Sequence, residues 1–137
     1  AQAFVEERTL NGIRAAERGF ARPEQFGKLA RLHGDRARWV LDAWTKIWLD
    51  PDFGSWSLDG ALGRVSCSLL AIHGDSDEFG SIEFPRRITS GVAGPAEMVM
   101  LEGCGHVPHR EQPDEVLRVV SRFLDARVAA EGVARGC

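Results

Sequence analysis

Hydrophobic positions in the first part of the chain recur with the spacing of α-helices. Over residues 35–49 they follow one another at one- and three-residue steps and form one broad stripe, which consists of Trp39, Val40, Ala43, Trp44, Ile47 and Trp48. Residues 9–20 predict an earlier helix, and Pro23 suits the first turn of another that extends to about residue 33. Residues 1–60 are therefore predicted to be helical.

The rest of the chain alternates between strand and helix patterns. Two continuous apolar runs, at residues 67–72 and 97–101, have the length of strands that are buried on both faces. A helix is predicted between them over residues 81–90, with Ser81 as its N-cap. A final helix begins at Pro113, and its predicted buried stripe consists of Val116, Val120, Phe123, Leu124 and Val128. This β-α-β-α order implies two parallel strands joined by a right-handed crossover.

The composition is that of a soluble globular domain, and it narrows the choice of partners. The 137 residues are 44% hydrophobic and 27% charged, with a net charge of −3. Lysine and arginine are scattered, no apolar run approaches the roughly 20 residues that cross a bilayer, and no secretory signal opens the chain. Three cysteines without a C-x-x-C pair argue against a disulfide framework. We therefore expect a cytoplasmic protein that binds neither nucleic acid nor a membrane.

Chemically useful side chains follow both predicted strands. The first strand leads into Gly74-Asp75-Ser76-Asp77, and the second leads into Gly103-Cys104-Gly105-His106. Because the carboxyl ends of parallel strands meet at the same edge of a sheet, the two loops are expected to lie side by side. A histidine can act there as a general base, and a carboxylate can orient the histidine and stabilise its protonated form. Asp77 and His106 are the predicted acid and base.

These two loops resemble those of the C-terminal half of the α/β-hydrolase family. The family's acid commonly follows a strand in a Gly-x-x-Asp loop, which Gly74 and Asp77 match. Its histidine follows a glycine before the last helix, which Gly105 and His106 match. The resemblance implies that Asp77 and His106 are two members of a catalytic triad.

Three further stretches are similar to one subgroup of that family, the broad-specificity esterases and carbon–carbon bond hydrolases. Residues 77–80 and 104–110 resemble the subgroup's two catalytic loops, and residues 44–51 resemble its helical cap. The resemblance implies an α/β protein with a partial α/β-hydrolase fold. A helical cap would occupy residues 1–60, and the C-terminal β-α-β-α part of the core, with parallel strands, would occupy residues 61–137.

The nucleophile of such a hydrolase is missing from the sequence. In this family the nucleophile comes first along the chain, the acid second and the histidine last. No Gly-x-Ser-x-Gly occurs, and Gly54-Ser55-Trp56-Ser57 has the wrong spacing and no strand before it. The resemblance therefore implies the C-terminal portion of a serine hydrolase that acts on a small carboxylic ester or a related carbonyl compound, without a cofactor or a metal. The 137 residues alone are expected to be inactive.

Other residues in the two loops offer alternative chemistry. Asp75 is a competing acid, although its position does not match the family's loop. Cys104 is a weak candidate nucleophile, because it lies only two residues from His106. No C-x-x-C and no helical pair of histidines supports a zinc site, although enough donors are present, namely His73, Asp75, Asp77, Cys104, His106 and His109. His73 and His109 are expected to be structural.

Two further features bear on binding. Trp44 and Trp48 either pack the cap onto the sheet or line an apolar acyl or aromatic pocket above the acid and the base. The strand at residues 69–72 would present an unpaired apolar edge, which we expect to pair with the protein's own N-terminal half or with another copy. The alternative function is a non-catalytic binding or regulatory module on a hydrolase scaffold. Such a module would keep the apolar pocket and make no use of Asp77 or His106.

Overall fold

Seven α-helices and two β-strands make up the described part of the chain. The computed structural model describes residues 2–134, with side chains up to residue 128. The elements in chain order are α1 (Glu7–Phe20), α2 (Pro23–His33), α3 (Ala37–Trp48), α4 (Asp59–Leu62), β1 (Leu69–Gly74), α5 (Glu83–Gly91), β2 (Ala96–Leu101), α6 (Pro108–Glu111) and α7 (Pro113–Ala134). Short 3₁₀ turns flank α3. The predicted order of helices followed by a β-α-β-α unit is confirmed.

The two strands form a parallel sheet, as predicted. The register runs from Leu69 opposite Ala96 to Gly74 opposite Leu101. The first strand was expected to begin at Cys67, two residues before its actual start. It also extends further than expected, because the residues up to Gly74 still pair with β2. This extension brings the end of β1 directly to the loop that carries the predicted acid.

Every second residue of β1 bonds to β2. The N–H groups of Leu69 and Asp75 both donate to carbonyls on the β2 side, at 2.9 and 3.1 Å. Because the backbone groups of a parallel strand alternate in direction, the N–H and C=O groups of Leu70 and Ile72 point away from β2. Within residues 2–134, β1 pairs with β2 alone, so this edge of the sheet is free.

The buried core draws residues from several elements, among them α1, α5 and α7. Ile13, Phe84 and Val119 are almost wholly buried. Phe4, which precedes α1, places its ring edge-on against that of Phe84, with the ring centroids 4.8 Å apart. The start of the chain is thereby packed onto the β-α-β-α unit.

Only part of α7 is covered by the rest of the protein. Val119 is 1% exposed, whereas Leu117, Leu124 and Val128 are 66%, 54% and 72% exposed. The prediction that Leu124 and Val128 are buried is wrong. A helix of 22 residues is about 33 Å long, and it extends past the two-stranded sheet of the described chain. Leu117, Leu124 and Val128 share one helix face, because they are seven and four residues apart. We call them the α7 stripe.

The proposed helical region and core region contact each other. The carboxylate of Glu6 accepts hydrogen bonds from the N–H and the hydroxyl of Ser81, at 2.7 and 2.8 Å. The division of the chain into residues 1–60 and 61–137 stays a prediction. None of the described helices is both long and apolar enough to cross a membrane.

Replacing the buried Ile13 by valine should lower the free energy of unfolding by about 0.5–1.5 kcal/mol, because one methylene loses its contacts. Ile47 is 51% exposed, so the same change there should cost less than about 0.5 kcal/mol. Urea unfolding of the two variants measures the difference. Equal losses would mean that Ile13 does not belong to the core.

Candidate active site

A tight turn after β1 carries Asp77. The Asp77 N–H donates to the carbonyl of Gly74 at 3.3 Å, and the Phe79 N–H donates to Asp77 Oδ1 at 2.7 Å. These bonds fix the carboxylate, whose side chain is only 6% exposed. A buried carboxylate of this kind is stabilised by donors that point at it.

The loop after β2 turns back against the loop after β1. Gly103 has a φ of +63°, a left-handed conformation that glycine adopts without strain, and its N–H donates to Asp75 Oδ1 at 2.9 Å. The Ser76 N–H donates to the Cys104 carbonyl at 2.9 Å. A Cβ at Gly74 would overlap that same carbonyl. The two loops can therefore approach this closely only because position 74 is glycine.

The approach of the loops brings His106 to Asp77. Nδ1 of His106 lies 3.0 Å from both carboxylate oxygens. An ionised carboxylate can only accept, so the neutral form of the imidazole carries its hydrogen on Nδ1 in this contact and keeps a lone pair on Nε2. The His106 side chain is 43% exposed, while that of Asp77 is buried. The pair thus has one buried member that orients the ring and one that faces outward.

Glu111 of α6 holds the His106 loop from the other side. Its carboxylate accepts the Gly105 N–H at 2.7 Å and the Val107 N–H at 2.9 Å, so the N–H groups of the residues on either side of His106 are held by one side chain. The Val107 bond first, and the Gly105 bond second, hold the pKa of Glu111 below its usual range. Sequence reasoning missed Glu111. The signal that could have found it is a carboxylate one short helical turn after the glycine–histidine loop.

The other polar residues of the two loops have structural contacts. Asp75, the competing acid, accepts hydrogen bonds from the Gly103 N–H and the Ser76 hydroxyl, both at 2.9 Å. His73 is buried, with Nε2 at 3.2 Å from the Gly80 carbonyl and 3.7 Å from Asp77 Oδ2. Asp75 therefore links the two loops by hydrogen bonds, and His73 is a buried neighbour of Asp77.

Cys104 is poorly suited to act as a nucleophile. It is fully buried. Burial raises the pKa of its thiol, and the nearby carboxylates of Glu111, Asp75 and Asp77 raise it further. The thiol therefore stays protonated. Across the residues that the structure describes, no group of three or more histidine, cysteine, aspartate or glutamate side chains is arranged to hold a metal ion.

The two tryptophans with a predicted binding role lie in different surroundings. Trp44 is 6.0 Å from the ring of Phe79, which in turn lies 4.8 Å from the imidazole of His106. Trp44 also lines an apolar cavity of about 240 Å³ with Phe20, Leu29, Val40 and Leu41. Trp48 packs edge-on against a separate pair of rings, those of Phe53 and Trp56. The ring of Phe79 thus lies between Trp44 and the imidazole of His106, whereas Trp48 belongs to a separate aromatic cluster.

Comparison with known proteins gives the family. The sequence matches the family model described as "Alpha/beta hydrolase family" over residues 2–119, and the chain therefore belongs to the α/β-hydrolase family. The predicted partial hydrolase fold is confirmed. No curated protein matched the sequence.

The fold is similar to that of a solved peptidase. The match is to the crystal structure of proline iminopeptidase from Mycobacterium smegmatis, with a TM-score of 0.53 and 18% sequence identity. It covers 90% of this chain and 48% of that chain. The present chain thus spans about half the length of that protein.

Protonation of Glu111 should loosen the His106 loop at low pH. The pKa of Glu111 is lowered in the folded state, so its stabilising effect is present above the unfolded value, about 4.5, and is lost as the pH falls through the folded pKa. The amide ¹H–¹⁵N shifts of Gly105 and Val107 should follow this titration. In Glu111→Gln they should lose that pH dependence. Glu17→Gln, which removes a charge from α1, should leave it intact, and a titration that survives Glu111→Gln would assign it to another group.

Proposed function

We propose that this chain supplies the acid and the general base of an α/β-hydrolase that cleaves small carboxylic esters or related carbonyl compounds. One observation carries the proposal: Nδ1 of His106 lies 3.0 Å from both oxygens of Asp77. That contact occupies one ring nitrogen and leaves the other for a nucleophile. Membership of the hydrolase family supports the same chemistry.

In the proposed mechanism His106 moves the proton and Asp77 keeps His106 in place. Nε2 removes the proton of a serine hydroxyl while the hydroxyl oxygen attacks the substrate carbonyl, and His106 then gives that proton to the leaving group. Water next attacks the acyl intermediate with Nε2 as its base; the bond between the acyl carbon and the serine oxygen then breaks as His106 returns the proton to that oxygen, and the carboxylic acid is released. Asp77 stabilises the imidazolium at both steps and does not take its proton.

The serine of this mechanism is supplied by a polypeptide segment outside residues 1–137. The sequence contains no Gly-x-Ser-x-Gly, and the nucleophile of such hydrolases precedes the acid along the chain. We infer that an N-terminal half of the hydrolase domain carries the serine and the donors of the oxyanion hole. The 48% coverage of the M. smegmatis protein is consistent with a fold of about twice this size.

The free edge of β1 is the proposed docking surface for that half. The backbone groups of Leu70 and Ile72 point away from β2, and an apolar groove beside them is bounded by Pro85 and Ile88 of α5. A parallel strand added at this edge would satisfy the backbone groups and cover the groove. The α7 stripe offers further exposed apolar surface.

The activity test uses residues 1–137 expressed together with the segment encoded directly before them. We expect hydrolysis of p-nitrophenyl acetate or butyrate, and we expect His106→Ala and Asp77→Asn each to lower kcat by about 10⁴-fold. Asp35→Asn is the matched control, because it removes an exposed carboxylate that lies outside both loops. Full activity in His106→Ala would remove this residue from the mechanism.

The same assay separates the proposed function from its alternatives. Residues 1–137 alone should not hydrolyse the esters, because the serine and the oxyanion donors are missing, and the donors by themselves contribute about 10²–10³ in rate. Since one solved structure with a similar fold is a proline iminopeptidase, prolyl p-nitroanilide is included as an amide substrate. A complex that contains the serine and cleaves neither class would favour a non-catalytic binding module.

A proline at the free edge tests the docking surface. Leu70→Pro removes an N–H group that points away from β2, so the β1–β2 ladder keeps its hydrogen bonds while an added strand loses one. We expect at least tenfold weaker association with the upstream segment, measured by analytical ultracentrifugation, with an unchanged far-UV circular dichroism spectrum. Leu32→Ala, a change at an exposed position of α2, serves as the control. Association at the wild-type strength in Leu70→Pro would place the partner elsewhere.

A further inference from the structure

Phe79 touches both members of the acid–base pair. Its N–H donates to Asp77 Oδ1 at 2.7 Å. Its ring lies edge-on against the imidazole of His106, with the centroids 4.8 Å apart and an angle of 61° between the planes. The backbone of Phe79 thus restrains the carboxylate, and its side chain limits the tilt of the imidazole. From the sequence, Phe79 stands out only as part of residues 77–80, and no role is predicted for its side chain.

Helix α1 supports Phe79 from behind. The hydroxyl of Thr9 donates to the Phe79 carbonyl at 2.6 Å, and Thr9 is fully buried. Three residues further along the helix, a Cβ at Gly12 would lie 2.7 Å from the carbonyl oxygen of Glu78 and 2.9 Å from Cδ1 of Phe79. The backbone of α1 therefore lies directly against the loop that carries Asp77, joined to it by one partly buried hydrogen bond and with no room for a larger residue at position 12.

We propose that Phe79 is a positioning residue for the acid–base pair, and that α1 sets its place through Thr9 and Gly12. The inference rests on the proposed roles of Asp77 and His106. Phe79 acts through these two residues rather than on a substrate. A shift of α1 would move the N–H and the ring of Phe79 together. It would thereby change the position of the Asp77 carboxylate relative to the imidazole of His106.

The tautomer of His106 is the direct readout of this arrangement. The hydrogen stays on Nδ1 because the Asp77 carboxylate accepts it there. When the carboxylate is less well held, the population with the hydrogen on Nε2 grows. The ¹⁵N chemical shifts of the two ring nitrogens report these populations, and the measurement needs neither a serine nor a substrate.

Thr9→Val removes the hydroxyl and keeps the shape of the side chain. In the 137-residue chain we expect the ratio of the Nδ1–H form to the Nε2–H form of His106 to fall about fivefold, the equivalent of one net hydrogen bond. Thr9→Ser keeps the hydroxyl and should restore the wild-type ratio. A merely structural role for Thr9 would change the melting temperature without changing the tautomer.

Gly12→Ala tests the steric half of the proposal, and Gly27→Ala is its matched control. Both glycines lie inside helices, but a Cβ at Gly27 meets no atom within 4 Å. We expect Gly12→Ala to shift the tautomer ratio in the same direction as Thr9→Val. We expect Gly27→Ala to leave the ratio unchanged. If Gly12→Ala does not fold, the Thr9 pair and the tautomer ratio in Phe79→Leu, which keeps the backbone N–H and removes the ring, decide the question.

The results separate this inference from the proposed function. A wild-type tautomer ratio in Thr9→Val would overturn the positioning role even in an active enzyme. An altered ratio in a complex that never cleaves an ester would support the positioning role and count against the proposed function. In an active complex, Thr9→Val should lower kcat about fivefold and leave KM unchanged, because Asp77 and His106 do not bind the substrate.

Discussion

The close approach of the loops that follow β1 and β2 is the constraint on which the candidate site depends. Without a side chain at Gly74, the Ser76 N–H can reach the Cys104 carbonyl, and Nδ1 of His106 can reach Asp77. The parallel register sets the two strand ends level, and the missing Cβ lets the loops touch. The contact between Asp77 and His106 is therefore a consequence of backbone geometry. The backbone brings the two loops together, and the two side chains then lie within hydrogen-bond distance.

The sequence predicts the part of the site whose signals are local. Asp77 and His106 each follow an apolar run within a few residues, and the glycines between each run and its polar residue indicate a turn at the end of a strand. Glu111 is also close in sequence, one short helical turn after the glycine–histidine loop, but its two amide partners are what show that it holds that loop. The contact of Thr9 with Phe79 joins residues 70 positions apart, and no periodicity or motif relates them.

The errors in the predicted fold have a related origin. An amphipathic period shows which face of α7 is apolar, but it does not show whether another element covers that face, so Leu124 and Val128 were assigned to a core that does not reach them. The free edge of β1 was expected because its apolar run has the composition of an interior strand. The α7 stripe and the free edge of β1 have the same physical explanation. Each has the apolar pattern of an element that is enclosed by neighbours on more sides than it is in the described chain.

The separation of the supporting contacts along the chain has a consequence for when the site forms. The bond between Asp77 and His106 closes a loop of 29 residues, and that between Thr9 and Phe79 closes one of 70. Contacts that close long loops lose more chain entropy and tend to slow folding. A nascent polypeptide that still lacks β2 cannot place His106 beside Asp77, so this contact forms only when folding is nearly complete.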